Sequence, residues 1–172
     1  MKSIGIVFGC FIPLHTGHLK LIGQSLRQCD QTILAVSGYD TDRGQDFIPF
    51  RTRISLTKEA FREYPNILVM GVDDHAVGLT GTFSTDAWRR WGEELFRNAG
   101  LNPRAAGVTY HWYLGELPYL KKLTEIYPHH IFHLADRTKL PISGTKIREH
   151  WQAYETDIHP IFLHYLERSM KL

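Results

Sequence analysis

The 172-residue sequence has little cysteine and no long apolar run, and each absence excludes a class of protein. Its two cysteines, Cys10 and Cys29, have neither CxxC spacing nor the framework of a secreted disulfide-rich domain, so we expect reduced thiols and no disulfide. Nowhere do about eighteen apolar residues follow one another, and no basic N-terminal region leads into an apolar stretch. The sequence therefore predicts a cytoplasmic protein without a membrane span or an export signal.

An excess of one charge sign is lacking as well. The 20 basic and 18 acidic residues leave a formal net charge of +2, and the basic ones are dispersed. Nucleic-acid-binding surfaces concentrate positive charge, so we do not expect nucleic acid as a partner. Without repeats or linkers, we predict a single domain over residues 1–172, with an α/β core over 1–150 and a helical tail over 151–172. The sequence leaves the oligomeric state open, and a homo-oligomer fits it as well as a monomer does.

Strand-like and helix-like segments alternate along the chain. We predict strands at 3–9, 31–37, 66–71, 105–110 and 131–135. We predict helices at 16–29, 51–64, 84–99 and 116–127, a further one from Ser143, and a tail helix from about 157. Repeated βα units favour a doubly wound parallel sheet covered by helices on both faces, which binds ligands at the carboxyl ends of its strands.

Residues 9–18, Gly-Cys-Phe-Ile-Pro-Leu-His-Thr-Gly-His, connect the first predicted strand to the first predicted helix. A helix that starts there presents free N–H groups and its positive dipole end, which suit a phosphate. His15 and His18 are three residues apart, so both imidazoles can face one anion, and Gly17 permits a close approach. The alternatives are ordinary polar residues at a helix start or a zinc site, although no further zinc ligand has recognisable spacing.

A second segment, residues 142–149, combines a helix start with cationic side chains. Ser143 is a candidate N-cap, and Lys146 and Arg148 follow within the next two turns, where they can pair with phosphate oxygens. The alternative is a capped helix with a solvated charged face. The two segments together lack an obvious nucleophile, so they indicate that a polyphosphate is handled by positioning and charge neutralisation.

The first segment follows the pattern GxFxPxHxGH and the second the pattern ISxTxxR, in the order and separation of the nucleotidylyltransferase superfamily. The chain thus resembles that superfamily, and within it the nicotinamide mononucleotide adenylyltransferase domains of bacterial bifunctional NAD-synthesis and regulatory proteins. Further resemblance lies in Gly38 to Arg43, in the helix with Trp88 and Trp91, and in Asp136-Arg137-Thr138. In the first pattern, Cys10 stands where those relatives often have Lys.

The resemblance implies a Rossmann-like nucleotidylyltransferase fold and adenylyl transfer from ATP to nicotinamide mononucleotide (NMN). The products would be NAD and pyrophosphate, formed by in-line attack without a covalent enzyme intermediate. Mg²⁺ would accompany ATP, with no metal site of the protein's own. It also implies catalytic roles for His15, His18 and Arg148. The implied ATP-binding residues are Gly9, Cys10, Phe11, His15, Gly17, His18, Asp136, Arg137, Ser143, Gly144, Thr145, Lys146 and Arg148. The implied NMN-binding residues are Phe11, Asp40, Arg43 and Trp88.

Several alternatives remain open. Trp88 could be a core residue, and Asp40 and Arg43 could form a turn with an incidental salt bridge. The activity could be that of a pantetheine-phosphate adenylyltransferase or a cytidylyltransferase, because both motifs serve the shared triphosphate. The chain could also be an NAD- or ATP-sensing module without turnover. A P-loop kinase is not expected, since the sequence contains no GxxxxGK[ST] loop.

Overall fold

The computed structural model describes residues 1–38, 47–78, 84–139 and 142–169. Its strands are β1 (Lys2–Gly9), β2 (Gln31–Ser37), β3 (Ile67–Val72), β4 (Val108–Leu114) and β5 (Ile131–Leu134). Its α-helices are α1 (Thr16–Gln28), α2 (Phe50–Ala60), α3 (Thr85–Asn98), α4 (Leu117–Ile126), α5 (Gly144–Glu149) and α6 (Pro160–Ser169). Short 3-10 helices cover Arg137–Lys139 and Trp151–Asp157. None of the helices in these ranges is both long and apolar enough to cross a bilayer.

The five strands form one parallel sheet in the order β3-β2-β1-β4-β5. β1 lies at its centre, where Ile6 is opposite Ile33 of β2 and Trp112 of β4. The strand order reverses between β1 and β4, and such a switch point opens a crevice at the carboxyl ends of the strands. The segment after β1 therefore enters the crevice.

Both faces of the sheet are covered, as the apolar runs of the strands require. On one face Ile4 and Ile6 pack with the aromatic side of α3 and with Leu123 of α4. On the other face lies a cluster that contains Val7, Leu34 and side chains of α1 and α6. This arrangement confirms the predicted doubly wound α/β sheet and its helical C-terminal end.

Three elements differ from their predicted bounds by more than one residue. β4 runs to Leu114 instead of ending at Tyr110, because its second half pairs with β1 and buries Trp112 and Tyr113. α2 ends at Ala60, four residues before Tyr64, and a turn connects it to Pro65. The tail is a 3-10 helix followed by α6, which starts at Pro160, where a ring that fixes φ and lacks an N–H is tolerated.

Candidate active site

The loop after β1 leads into a helix cap built from two histidines. His15 is the N-cap of α1, and its Nδ1 accepts the N–H of Gly17 at 3.1 Å. The Nδ1 of His18 accepts the N–H of His15 at 3.4 Å, and the two ring centroids are 3.9 Å apart. Because each Nδ1 accepts a backbone hydrogen, the proton of each neutral imidazole lies on Nε2. Both rings can therefore donate from Nε2.

Gly17 makes room for this cap. A Cβ on Gly17 would lie 2.8 Å from Cε1 of His15, too close for two carbon atoms. Gly9, at the end of β1, is placed in a similar way, since its Cβ would lie 3.1 Å from the Phe11 ring and 3.5 Å from Nε2 of His18. The group that approaches Gly17 closely is thus the imidazole of His15.

The second motif lies against the first. Ser143 is the N-cap of α5, and its Oγ accepts the N–H of Lys146 at 3.3 Å. Arg148 donates from Nη1 to the carbonyl oxygen of Ile12 at 3.2 Å and from Nη2 to Oγ1 of Thr145 at 3.2 Å. A Cβ on Gly144 would lie 4.0 Å from Nε2 of His15. Residues 9–18 and 143–148 thus meet at one edge of the sheet.

A buried polar network lies beneath the same edge. Arg53 of α2 is 0% exposed and donates to the carbonyl oxygens of Ile48, Cys10 and Ser37. The hydroxyl of Ser37 donates to both carboxylate oxygens of Asp74 at 2.7 Å, and Nε1 of Trp91 donates to Oδ1 of Asp74 at 2.8 Å. Burial raises the pKa of Asp74 to about 6, against the opposing effect of these hydrogen bonds and of the Arg53 charge.

Comparison with known proteins shows the family of the chain. The pattern of the family described as Cytidylyltransferase-like matches residues 6–150, which include both motifs and all five strands except the start of β1. The chain belongs to this nucleotidyltransferase family. The resemblance predicted from the two motifs is therefore confirmed at family level.

Curated proteins whose names give different activities are similar to the chain. The trifunctional NAD biosynthesis/regulator protein NadR of Escherichia coli (strain K12) is 28% identical over 94% of the chain and 41% of its own length. The phosphopantetheine adenylyltransferase of Methylococcus capsulatus is 33% identical over 48% of the chain and 49% of its own length. A crystal structure of NadR in complex with NAD and AMP-PNP superposes with a TM-score of 0.75 at 33% identity, over 94% of the chain and 46% of that structure. The chain thus spans less than half of the length of NadR.

The remaining residues predicted for the ATP side lie at the same edge or follow it. Cys10 is half-buried, and its carbonyl oxygen accepts a hydrogen bond from Arg53. Thr145 and Lys146 are exposed on α5. Asp136 is exposed after β5, where hydrogen bonds from Thr138 lower the pKa of its carboxyl group. Arg137 begins the 3-10 helix that follows.

The aromatic residues predicted for NMN are more buried than a ligand platform would be. Phe11 is 1% exposed, with its ring edge-on to His18 at 4.9 Å. Trp88 is 4% exposed and packs against Phe8, Trp91 and Tyr119. Its Nε1–H is buried without a hydrogen-bond partner among the described residues. Asp40 and Arg43 lie outside the described residues, so their predicted contacts stay predictions.

Sequence reasoning missed Arg53 and Asp74. A lone arginine within a helix carries no motif, and nothing local indicates that its side chain is buried. Asp74 follows β3 closely enough to place it at the carboxyl edge, which is the only signal it carries. Two histidines near β5 have structural contacts: His130 accepts a hydrogen bond from Trp112, and His133 contacts His111.

Proposed function

We propose that this chain transfers the adenylyl group of ATP to NMN, giving NAD and pyrophosphate. A phosphate oxygen of NMN would form a bond to the α-phosphorus of ATP. The bond from that phosphorus to the bridging oxygen would break, and its electron pair would leave on pyrophosphate. The nucleophile is already ionised, so the reaction needs no general base or covalent intermediate from the protein.

The observation that carries this proposal is the meeting of the two histidines with Arg148 at one edge. His15 and His18 can each donate an Nε2–H to phosphate oxygens without first breaking their caps. Arg148 and Lys146 supply positive charge beside them, which suits a departing pyrophosphate. Such preorganised donors stabilise charge that develops in the transition state.

Mg²⁺ is proposed as a companion of ATP. Within the described residues, no group of three or more His, Cys, Asp or Glu side chains could hold a metal ion. A cation bound chiefly by phosphate oxygens would neutralise part of the negative charge of the triphosphate. The side chains at this edge that would share that task are cationic or neutral donors.

NMN is the proposed acceptor because NadR is similar to the chain over 94% of the chain's length. Trp88 supports this choice, since its buried Nε1–H could donate to the carboxamide oxygen of the pyridine ring. Stacking on the indole face would require a neighbour such as Tyr119 to move, because that ring lies 5.3 Å from the indole. Phosphopantetheine is the second candidate acceptor, because its adenylyltransferase is 33% identical over 48% of the chain.

The proposal is tested by incubating the purified chain with Mg²⁺–ATP and each acceptor in turn: NMN, the deamidated mononucleotide and phosphopantetheine. Pyrophosphate release and the mass of the product identify the reaction, and a parallel reaction with CTP tests cytidylyl transfer. NAD formed from NMN supports the proposal. Dephospho-coenzyme A formed instead would assign the second acceptor. Tight nucleotide binding without pyrophosphate release would indicate a sensor.

The role of Trp88 is tested by Trp88→Phe, which keeps an aromatic ring and removes the N–H. We expect KM for NMN to rise about tenfold, the cost of one lost hydrogen bond, with KM for ATP unchanged. Phe132→Leu, a change in a half-buried ring of β5, serves as a packing control. Equal effects on KM for both substrates would assign Trp88 to the core alone.

A further inference from the structure

Arg53 is a fully buried cation that donates hydrogen bonds to backbone carbonyls of three separate segments. Nε donates to Ile48 at 3.0 Å, and Nη1 donates to Cys10 at 2.7 Å and to Ser37 at 2.8 Å. Burying a guanidinium costs free energy unless its N–H donors are hydrogen-bonded, so we expect a buried arginine to have a structural role that offsets this cost. The positions of the three carbonyls indicate that role.

Two of the three carbonyls lie at the carboxyl ends of neighbouring strands, at the crevice. Ser37 is the last residue of β2, and Cys10 directly follows the last residue of β1. These strands are hydrogen-bonded in parallel, so one guanidinium from α2 connects both carboxyl ends. The third carbonyl, that of Ile48, belongs to the chain that leads into α2. Arg53 thus fixes where the loop after β1 leaves the sheet.

That loop begins with a backbone conformation that needs external support. Phe11 has a φ of 49°, in the left-handed region that non-glycine residues rarely adopt. Such a conformation is strained and persists only where its surroundings hold it. The hydrogen bond from Arg53 acts on the carbonyl immediately before Phe11.

The same bond sets the direction of a donor. In a trans peptide the C=O and the following N–H point to opposite sides. A Cys10 carbonyl that points toward Arg53 therefore turns the N–H of Phe11 away from α2. Arg148 holds the next carbonyl but one, that of Ile12, at 3.2 Å.

We propose that Arg53 is a positioning residue that orients the backbone of residues 10–15 for the triphosphate, through the carbonyls of Cys10 and Ser37. This inference rests on the proposed function, because it assigns the loop to ATP. Arg53 is not a catalytic residue, since its side chain is buried beneath the loop and acts through backbone carbonyls.

The test compares Arg53→Met, which removes the donors and keeps the length, with Arg53→Lys, which keeps the charge and fewer donors. Thr57→Val is the matched control, because Thr57 is fully buried on the same helix and its hydroxyl donates to the backbone carbonyl of Arg53. Three measurements are made at a temperature where all variants are folded: kcat, affinity for AMP-PNP by calorimetry, and hydrogen exchange of residues 10–18.

We expect Arg53→Met to lower kcat about a hundredfold, as a misplaced donor set does, and to weaken AMP-PNP binding by a smaller factor. Amides of residues 10–18 should exchange faster than in Thr57→Val, and Arg53→Lys should restore part of each loss. If Arg53→Met and Thr57→Val match in kcat and in exchange of the loop, Arg53 only stabilises the fold and the inference is wrong.

Failure of the proposed function gives a different result. A wild-type chain that releases no pyrophosphate with any acceptor refutes the transferase proposal. The exchange and AMP-PNP measurements on Arg53→Met then still decide whether Arg53 orients the loop. If Arg53→Met does not fold, Arg53→Lys against Thr57→Val makes the same comparison, with an expected loss of about tenfold in kcat.

Discussion

His18 offers the most direct test at the level of single residues. Its Nδ1 accepts the N–H of His15, which leaves Nε2 as the donor to a ligand. His18→Ala should lower kcat by about 10²–10³, because one preorganised donor to the transition state is lost. Steady-state pyrophosphate release measures the effect, and circular dichroism reports the fold.

The control for His18 is His164→Ala, an exposed histidine on α6. This variant should retain wild-type kcat. Near-normal turnover of His18→Ala would remove the role proposed for that imidazole, whereas loss of the helical signal would show that the substitution had unfolded α1.

Asp74 makes the stability of the protein depend on pH. Burial raises its pKa from 3.8 to about 6, so the folded state binds more protons than the unfolded state between these values. The contribution of Asp74 to stability is therefore present in full below pH 3.8 and is lost as the pH rises through about 6. That difference in pKa corresponds to roughly 3 kcal/mol.

Asp74→Asn removes this titration and keeps a hydrogen-bonding group for Ser37 and Trp91. We expect the free energy of unfolding of the variant, relative to wild type, to increase by up to about 3 kcal/mol between pH 4 and pH 8. Urea titrations across that range measure it. A difference between the two proteins that stays constant with pH would show that Asp74 has an ordinary pKa.

At the level of the elements, the edge strand β5 has a histidine contact whose effect on stability changes with pH in the direction opposite to that of Asp74. Nδ1 of His111 on β4 lies 3.1 Å from Nε2 of His133 on β5, and the rings are stacked. Burial lowers the pKa of both imidazoles, and for His133 the charge of His111 adds to the effect. The folded state binds fewer protons than the unfolded state, so stability falls as the pH drops below about 6.5.

His133→Gln should keep a polar contact with His111 and remove one titrating group. We expect thermal stability to fall less between pH 7.5 and pH 5.5 than in wild type, as measured by melting temperature. Ile131→Val changes the same strand without a titrating group and should keep the wild-type slope. An unchanged slope in His133→Gln would exclude the pair as the cause.

At the scale of the whole molecule, the C-terminal tail supports the first motif. His159 donates its N–H to the carbonyl oxygen of Leu14 at 2.9 Å, and Ile158 forms an antiparallel bridge with His15. The hydroxyl of Thr16 donates to Oδ1 of Asp157 at 3.0 Å. Phe162 and Leu166 of α6 are fully buried against the same side of the sheet. These contacts come from residues beyond the matched range 6–150.

We therefore expect Asp157→Ala and Thr16→Val each to cost about 1 kcal/mol of stability and to lower kcat together with it, because both loosen the segment that carries His15. The double variant should cost little more than either single one. Urea unfolding and pyrophosphate release measure the cycle. Additive losses would mean that the two side chains do not act through this bond.

Much of the architecture could be predicted from local patterns. The apolar strands, the cap at Ser143 and the two motifs are readable within windows of about ten to twenty residues. The bounds of β4 could not be predicted in this way, because its second half is fixed by pairing with β1 about a hundred residues earlier in the chain. The sequence does not decide whether Trp88 is a ligand platform or a core residue, since helical spacing alone does not show which aromatic rings surround it.

The sequence by itself determined the family and the alternation of strands and helices, because local propensity and motif spacing are properties of short segments. Only the tertiary structure decided which carbonyls Arg53 and Arg148 hold, and that Asp74 is buried under Ser37 and Trp91. The contacts from Arg53 to Cys10, from Arg148 to Ile12 and from Asp74 to Ser37 and Trp91 join residues from 17 to 136 positions apart in the chain. Such distances are closed by the order of strands in the sheet, which no local pattern contains.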